Sequence, residues 1–237
     1  MCVRDAITNF TGDFRQQIDA IVGLTRSGTS EEQIGLYRKT LLVTVLDCLA
    51  GIRFDKKSYP ELTKQNRQRF KRFVDEYGDW PVGGRVSTPF LVTRLEKKTL
   101  AGPLLDKVRS HLAQFDPEAG NSESLEKMDF TLEELRLLVR REAEERALED
   151  VQHWSLLYRY RNHLVHEFRE PGYGMEVFAK DNGAACYHSY ANDPQYYLVY
   201  PSALFESIAR TAIDNLERYF VAQELNPYRC VSTTSRW

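Results

Sequence analysis

The sequence predicts a mainly α-helical protein with a small β-hairpin late in the chain. Apolar residues recur at helical spacing through most of the 237 residues, and the runs typical of strands come near the end. The composition, 42% hydrophobic and 28% charged, is that of a folded globular protein and excludes a disordered chain. We therefore expect one helical domain over residues 1–237, with N-terminal helices over 1–115 and its core over 130–225.

Capping signals and apolar stripes predict the helices of the first half. Ser30 followed by Gln33 has the pattern of a capping box, and a helix is expected to continue from there to Ile52. A further helix over residues 66–77 ends at Gly78 and carries one apolar stripe, formed by Phe70, Phe73, Val74 and Tyr77.

The second half begins with another capping box, Thr131 with Glu134, after a polar linker over residues 116–124. The helical pattern then runs to about Arg169, as one long helix or as two with a break. Before a last helix over residues 202–225, turn residues separate three short runs that predict strands at 175–178, 184–190 and 196–200.

The net charge of −2 provides no general attraction to nucleic acid. The charge is uneven, because seven Lys and Arg residues stand against one Glu between Lys56 and Arg72. This stretch either meets a phosphate backbone or is a solvated helix face.

Cysteine spacing and the N-terminal residues predict a reduced, cytoplasmic protein. No C-x-x-C pair occurs, so neither a zinc site nor a disulfide framework is expected from Cys2, Cys48, Cys186 and Cys230. Arg4 and Asp5 stand where a secretory signal needs apolar residues. The apolar run over residues 41–52 is too short to cross a membrane, so no membrane contact is expected.

Arg161 interrupts the apolar pattern of the second half. On an ideal helix it falls in the middle of a stripe formed by Trp154, Leu157, Tyr158, Leu164, Val165 and Phe168. A guanidinium on an apolar face is costly unless it is paired or has a use. Two interpretations stay open. The side chain extends its stem to reach water or a carboxylate, or it serves a functional site.

Asn162 and His166 favour the functional interpretation. They are four residues apart, on one side of the helix and beside the stripe. A guanidinium neutralises a phosphate through its planar fork, and an imidazole moves a proton near neutral pH. An amide can orient either group, so these three residues form a plausible set for handling a phosphodiester.

The run Arg161-Asn162-His163-Leu164-Val165-His166 resembles the signature of HEPN domains, the "higher eukaryotes and prokaryotes nucleotide-binding" family. In that signature an Arg is followed directly by a polar residue, often Asn, and after four to six residues by a His. Arg161, Asn162 and His166 match all three elements. More weakly, residues 41–47 and 69–77 look like early helices of larger bacterial HEPN proteins.

The resemblance implies a HEPN-like helical bundle that forms a homodimer around the motif helices. In active members it implies a metal-independent endoribonuclease without a cofactor. His166 would then act as general base and acid on the ribose 2′-hydroxyl, leaving a cyclic phosphate. Arg161 would stabilise charge on the phosphorus, and Asn162 would position the reacting groups.

Three neighbours of the motif, Arg159, His163 and Arg169, are expected to contribute weakly to RNA binding. The resemblance also implies a toxin or phage-defence setting, with an antitoxin or another defence protein as partner. Toxin members regulated by a minimal nucleotidyltransferase carry a Tyr two residues after the His. Phe168 stands there in this chain, and it has no hydroxyl to modify.

The angular separation of the motif residues agrees with a site shared by two subunits. On an ideal helix Arg161 and His166 point about 140° apart, so one helix can aim both at one phosphate only if it is distorted. Two helices that cross at a two-fold axis can present these residues in pairs.

Other interpretations stay open. His163 and His166 could share a metal ion with Glu167 or Glu170, although no third ligand has a convincing spacing. The tyrosines crowded into residues 173–200 could stack on bases, or could pack the hairpin against a helix. A non-catalytic HEPN-like module that binds a nucleotide or a protein is the main alternative function, and a purely structural helical adaptor is a third.

Overall fold

The computed structural model describes residues 2–25, 30–171 and 183–230. Over these residues it has ten α-helices and three short strands, so the prediction of a mainly α-helical chain with a small β element is confirmed. The strand expected at 175–178 lies outside the described residues. In the part of the chain that is described, no helix combines the length and apolarity needed to cross a membrane.

The chain forms two compact units. The first contains residues up to Trp80, the short segment Leu164–Phe168 and the residues from Ser202 onward. The second contains Pro81–His163 and Arg169–Pro201, so that the polar linker lies inside it.

The first unit is built around its last helix. Its helices are α1 (Val3–Val22), α2 (Glu31–Arg53), α3 (Asn66–Tyr77) and α10 (Ser202–Ala222). The helix α10 packs against the other three and buries Leu204, Phe205, Ile208, Ala209, Ala212, Ile213, Leu216 and Phe220. The apolar spacing of this helix therefore supplies the core of the unit.

Local signals set the helix ends of this unit, and the Ser30–Gln33 pattern acts as an N-cap. The Ser30 hydroxyl accepts a hydrogen bond from the Gln33 amide at 3.3 Å and caps α2. Helix α3 ends at Gly78, and its predicted stripe of Phe70, Phe73, Val74 and Tyr77 is buried.

The second unit has shorter elements. Its helices are α4 (Thr88–Lys97), α5 (Pro103–Leu112), α6 (Leu125–Met128), α7 (Leu132–Arg136), α8 (Glu142–Asp150) and α9 (His153–Asn162). The Thr131–Glu134 capping box is complete at the start of α7. The helical stretch expected up to Arg169 is therefore divided into α7, α8 and α9, followed by the π-helical turn His163–Glu167.

The β element is a three-stranded antiparallel sheet rather than a hairpin alone. The expected hairpin is present as β2 (Cys186–Tyr190) and β3 (Asp193–Val199). A third strand, β1 (Ser122–Ser124), comes from the predicted linker and pairs with β2, with Ser122 opposite His188. This strand was missed because three polar residues carry no readable alternation.

A buried carboxylate, that of Asp129, joins the elements of the second unit. Its Oδ1 accepts the Thr88 amide N–H at 2.8 Å, and its Oδ2 lies 2.9 Å from the Tyr187 hydroxyl and 2.6 Å from His153 Nε2. The same tyrosine hydroxyl lies 2.6 Å from Ser87 Oγ. One side chain thus holds the start of α4, the start of α9 and the strand β2 together.

The network extends from His153 to the end of the sheet. The Tyr200 hydroxyl lies 2.8 Å from His153 Nδ1, and both residues are buried. Burial raises the pKa of Tyr200 well above its usual value, and the negative charge of Asp129 adds to this effect. Tyr200 therefore keeps its proton and can donate to Nδ1, while Nε2–H donates to Asp129.

We predict that Asp129→Asn destabilises the protein by about 3 kcal/mol, because an amide NH2 would face donors that are buried and left without an acceptor. Urea unfolding followed by circular dichroism measures this loss. Asp106→Asn is the matched control, since Asp106 is exposed in the first turn of α5 and should cost about 0.5 kcal/mol. Equal effects of the two variants would contradict the role given to Asp129.

Candidate functional site

The second unit contains a cavity of about 440 Å³ whose walls are α4, α9 and β3. It falls within the size range of small-molecule sites, roughly 300–1,000 Å³. Thirteen residues line it: Pro89, Phe90, Thr93, Leu156, Arg159, Tyr160, His163, Pro171, Gln195, Tyr196, Tyr197, Leu198 and Tyr200. We call this cavity the aromatic pocket, because five of these residues carry aromatic rings of Phe or Tyr.

The spacing of residues on α9 explains one wall of the pocket. Leu156, Arg159, Tyr160 and His163 are at positions i, i+3, i+4 and i+7, which place them on one helix face. The Asp129 network fixes the walls relative to one another, since it bonds both Thr88 at the start of α4 and His153 at the start of α9.

Two of the residues expected to contact substrate weakly therefore share the pocket. Arg159 donates through Nη2 to the backbone oxygen of Asp150 at 2.7 Å, and it lies 4.0 Å from that residue's carboxylate. His163 lines the same cavity. The third expected residue, Arg169, is exposed and does not appear among the lining residues.

Most tyrosine hydroxyls at the pocket are bonded to neighbouring side chains. Tyr160 donates to Glu170, Tyr197 to Asp193, and Tyr200 contacts His153. These rings belong to both interpretations that the sequence left open, because they pack the sheet against α9 and also border a cavity.

Tyr196 differs from the other tyrosines of the pocket. Its hydroxyl oxygen is buried and has no hydrogen-bond partner among the described residues. Burial raises the pKa of Tyr196 above its usual value, and the charges of Glu123 and Asp116 add to this effect. The hydroxyl therefore keeps its proton and can donate.

The HEPN-like motif begins in the last turn of α9. The Arg161 guanidinium donates through Nη1 to the amide oxygen of Asn162 at 3.0 Å, and its central carbon lies 5.8 Å from the centroid of the Tyr158 ring. His166 lies in the π-helical turn and is exposed. The angle of about 140° expected between positions 161 and 166 holds for a regular α-helix, and this segment is not one.

The buried face of the motif helix differs from the expected stripe. Val165 and Phe168 were placed on that stripe, but they are 38% and 55% exposed. Arg161 is half-buried and lies about 80° from the centre of the true face, at its edge rather than in its middle. The face consists of His153, Leu156, Leu157 and Tyr160 in α9, with Leu164 in the π-helical turn, so its centre differs from the expected one already before the turn.

Phe168, two residues after His166, has a left-handed backbone with φ of 50°. This conformation is uncommon for a residue with a large side chain. Its ring stacks on that of Tyr37, with centroids 5.7 Å apart. A phenylalanine at this position thus has a packing role within the first unit.

A second aromatic cluster, in the first unit, surrounds the buried guanidinium of Arg53. This group lies 4.0 Å from the centroid of the Tyr219 ring and 4.7 Å from that of Phe54. It also donates to the hydroxyls of Tyr59 and Tyr77. These contacts join α2, α3 and α10, so we interpret Arg53 as a cross-link of the helices. The exposed positions of the basic stretch are Lys56, Lys57, Lys64 and Arg72.

No family model, curated protein or solved structure matches this chain. Among the residues that the structure describes, no three His, Cys, Asp or Glu side chains are grouped closely enough to hold a metal ion.

A glycine pair fixes the start of α9. The Trp154 amide donates to the Gly83 backbone oxygen at 2.9 Å, and the indole packs on both Gly83 and Gly84. A Cβ at Gly83 would lie 2.1 Å from the indole nitrogen Nε1. The absence of a Cβ at Gly83 and Gly84 therefore leaves the space that the Trp154 indole occupies.

We predict that Gly83→Ala destabilises the protein by about 2 kcal/mol, because the added methyl forces the indole or the loop to move. Gly12→Ala is the matched control, since a Cβ there meets no heavy atom within 4 Å and Gly12 lies inside α1. It should stabilise by up to about 1 kcal/mol through helix propensity. Thermal unfolding compares the two, and a shift of the same sign in both would contradict this account.

Proposed function

We propose that this chain is a HEPN-type endoribonuclease that cleaves RNA without a metal ion, with Arg161, Asn162 and His166 as its catalytic residues. The observation that carries the proposal is the π-helical turn at the motif, which leaves His166 exposed at the end of α9. Turns of this kind are rare, and they occur frequently at functional sites.

In the proposed reaction the ribose 2′-oxygen attacks the adjacent phosphorus and the bond to the 5′-oxygen breaks. His166 takes the 2′ proton, and the leaving 5′-oxygen receives a proton, so the products are a 2′,3′-cyclic phosphate and a 5′-hydroxyl. Arg161 stabilises the extra negative charge on the phosphoryl oxygens. Asn162 accepts a hydrogen bond from Arg161 and so positions the guanidinium.

The need for both a base and an acid favours a site shared by two subunits. One His166 removes the 2′ proton while His166 of the partner subunit protonates the leaving oxygen, which a two-fold axis makes possible. We therefore propose a homodimer, acting in the cytoplasm in a toxin or phage-defence setting under the control of an antitoxin or another defence protein.

We predict that His166→Ala lowers the rate of cleavage of single-stranded RNA by roughly 10²–10⁴-fold, because the proton-transfer group is lost. Arg161→Ala should lower it to a similar extent. His111→Ala is the control, since His111 lies on α5 outside the motif and should leave the rate unchanged. Circular dichroism checks folding, and a folded His166→Ala variant that cuts RNA at the parent rate would refute the catalytic assignment.

We also predict that cleavage persists in EDTA, because the proposed steps use only imidazole and guanidinium groups. The same digest, with and without chelator, measures this. Loss of activity in EDTA and its recovery with one divalent ion would instead assign catalysis to a metal site at His163 and His166.

The aromatic pocket favours a second candidate, a non-catalytic module that binds a nucleotide. The digest separates the two functions. A folded wild-type protein that binds RNA and leaves it intact would support the binding module and refute the nuclease.

A further inference from the structure

We infer that the aromatic pocket binds one unpaired nucleotide of the RNA, with its base among the tyrosine rings and its phosphate at Arg159. The choice of RNA as ligand rests on the proposed function, whereas the pocket itself does not use the motif residues. The pocket is thus a binding site additional to Arg161, Asn162 and His166.

The rings supply the surface that a base requires. Phe90 is 39% exposed and the rings of Tyr196 and Tyr197 are half-buried, so these three rings offer accessible faces at the pocket. The buried rings of Tyr160 and Tyr200 lie behind them, and the hydrogen bond of Tyr197 to Asp193 holds its ring in a fixed orientation. Bases stack on such rings whatever their sequence, because every base has a π face. A base that is still paired in a duplex cannot enter a pocket of this size, which favours single-stranded RNA over a duplex.

Tyr196 adds a polar group next to this apolar surface, because the residue lines the pocket and its hydroxyl is buried. The hydroxyl keeps its proton, and it has no hydrogen-bond partner within the described part of the chain. A buried donor in this state normally costs free energy, and a ligand that accepts its hydrogen bond removes that cost. The polar edge of a base carries acceptors of this kind.

The positive charge of Arg159 indicates that this residue contacts the phosphate end of the nucleotide. Its bond to the Asp150 backbone oxygen holds the guanidinium at the pocket wall, and His163 stands one turn further along α9. A planar guanidinium binds phosphate oxygens through two parallel hydrogen bonds. The phosphate is therefore expected at the α9 wall and the base toward β3.

The size of the pocket and the carboxylates near it limit the number of phosphates that it can contact. A cavity of about 440 Å³ has room for a small ligand, and Glu170 and Asp193 carry negative charge near its rim. Further phosphates would be repelled there, so we expect contact with a single phosphate. This one contact should then contribute about −0.7 to the logarithmic salt slope of binding to single-stranded RNA.

Fluorescence anisotropy with a labelled, 2′-O-methylated nine-nucleotide RNA tests the inference, since this probe lacks the 2′-hydroxyl that cleavage needs. Tyr196→Phe keeps the ring and removes the donor, so affinity should fall about fivefold. Tyr197→Ala removes a stacking surface and should cost about tenfold or more. Arg159→Gln should cost about tenfold and make the salt slope shallower by about 0.7.

Two control variants match these changes. Tyr190→Phe removes a hydroxyl from β2, outside the lining of the pocket, and Arg109→Gln removes a guanidinium from α5. Both should bind the probe like the parent. Uridine monophosphate should compete with the probe, and inorganic phosphate at the same concentration should not.

Two results would overturn the inference: no binding of the probe by the folded wild-type protein, or parental affinity in Tyr196→Phe, Tyr197→Ala and Arg159→Gln. Competition by inorganic phosphate equal to that of uridine monophosphate would also overturn it, because no base would then be enclosed.

Cleavage of unmodified RNA separates the inference from the proposed function. If both hold, the Tyr196→Phe variant raises KM about fivefold and leaves kcat unchanged, whereas His166→Ala binds the probe normally and loses kcat. Binding that depends on the pocket in a wild-type protein that cuts no RNA would refute the nuclease and support the pocket. Cleavage by the wild-type protein that is unaffected by the pocket variants would support the nuclease and refute the pocket.

Discussion

The burial of the Asp129 carboxylate is the constraint on which the second unit depends. A carboxylate without water must be satisfied by donors, and here the Thr88 amide, the Tyr187 hydroxyl and His153 Nε2 surround it. Each of these donors belongs to a different element, so satisfying one charge fixes α4, β2 and α9 together. The hydroxyl of Tyr200 continues the network to the wall of the pocket, where Tyr200 is itself buried. The same bonds that stabilise the unit therefore shape its cavity.

Features that depend on neighbours in sequence could be predicted, and those that depend on distant pairs could not. The stripe of α3, the Thr131–Glu134 capping box and the two strands of the hairpin follow from periodicity and turn residues. Asp129 follows a single turn of helix and has no pattern of its own, and its partners His153 and Tyr187 lie 24 and 58 positions away. The sequence shows Asp129 only as a lone polar residue between apolar neighbours. That pattern indicates a buried polar group but does not identify the residues that form hydrogen bonds with it.

The motif helix shows two reasons why a predicted stripe can be wrong. The expected stripe assumed regular α-helical phase from Trp154 to Phe168, but α9 ends at Asn162 and a π-helical turn follows, in which Val165 is exposed where burial was expected. Before that turn, His153, Leu156 and Tyr160 are buried outside the expected stripe, so the stripe was also centred about 80° from the true face. The anomaly at Arg161, a charge inside an apolar stripe, is therefore weaker than the sequence suggested. The irregular turn itself, together with the bond between Arg161 and Asn162, now supports the motif more strongly than the stripe does.

Arg159 and Arg161, to which we assign different contacts with RNA, occupy different faces of α9. Arg159 and His163 border the pocket, whereas Arg161 is separated from Arg159 by about 200° on an ideal α-helix. One phosphate cannot contact both guanidinium groups of the same helix from a single side. In the proposed reaction, a nucleotide held at Arg159 is consequently not the one whose phosphate reacts at Arg161. The two proposals together therefore place binding and chemistry on separate nucleotides of one strand. Such a division requires the RNA strand to be single and flexible, and an unpaired base in the pocket meets that requirement.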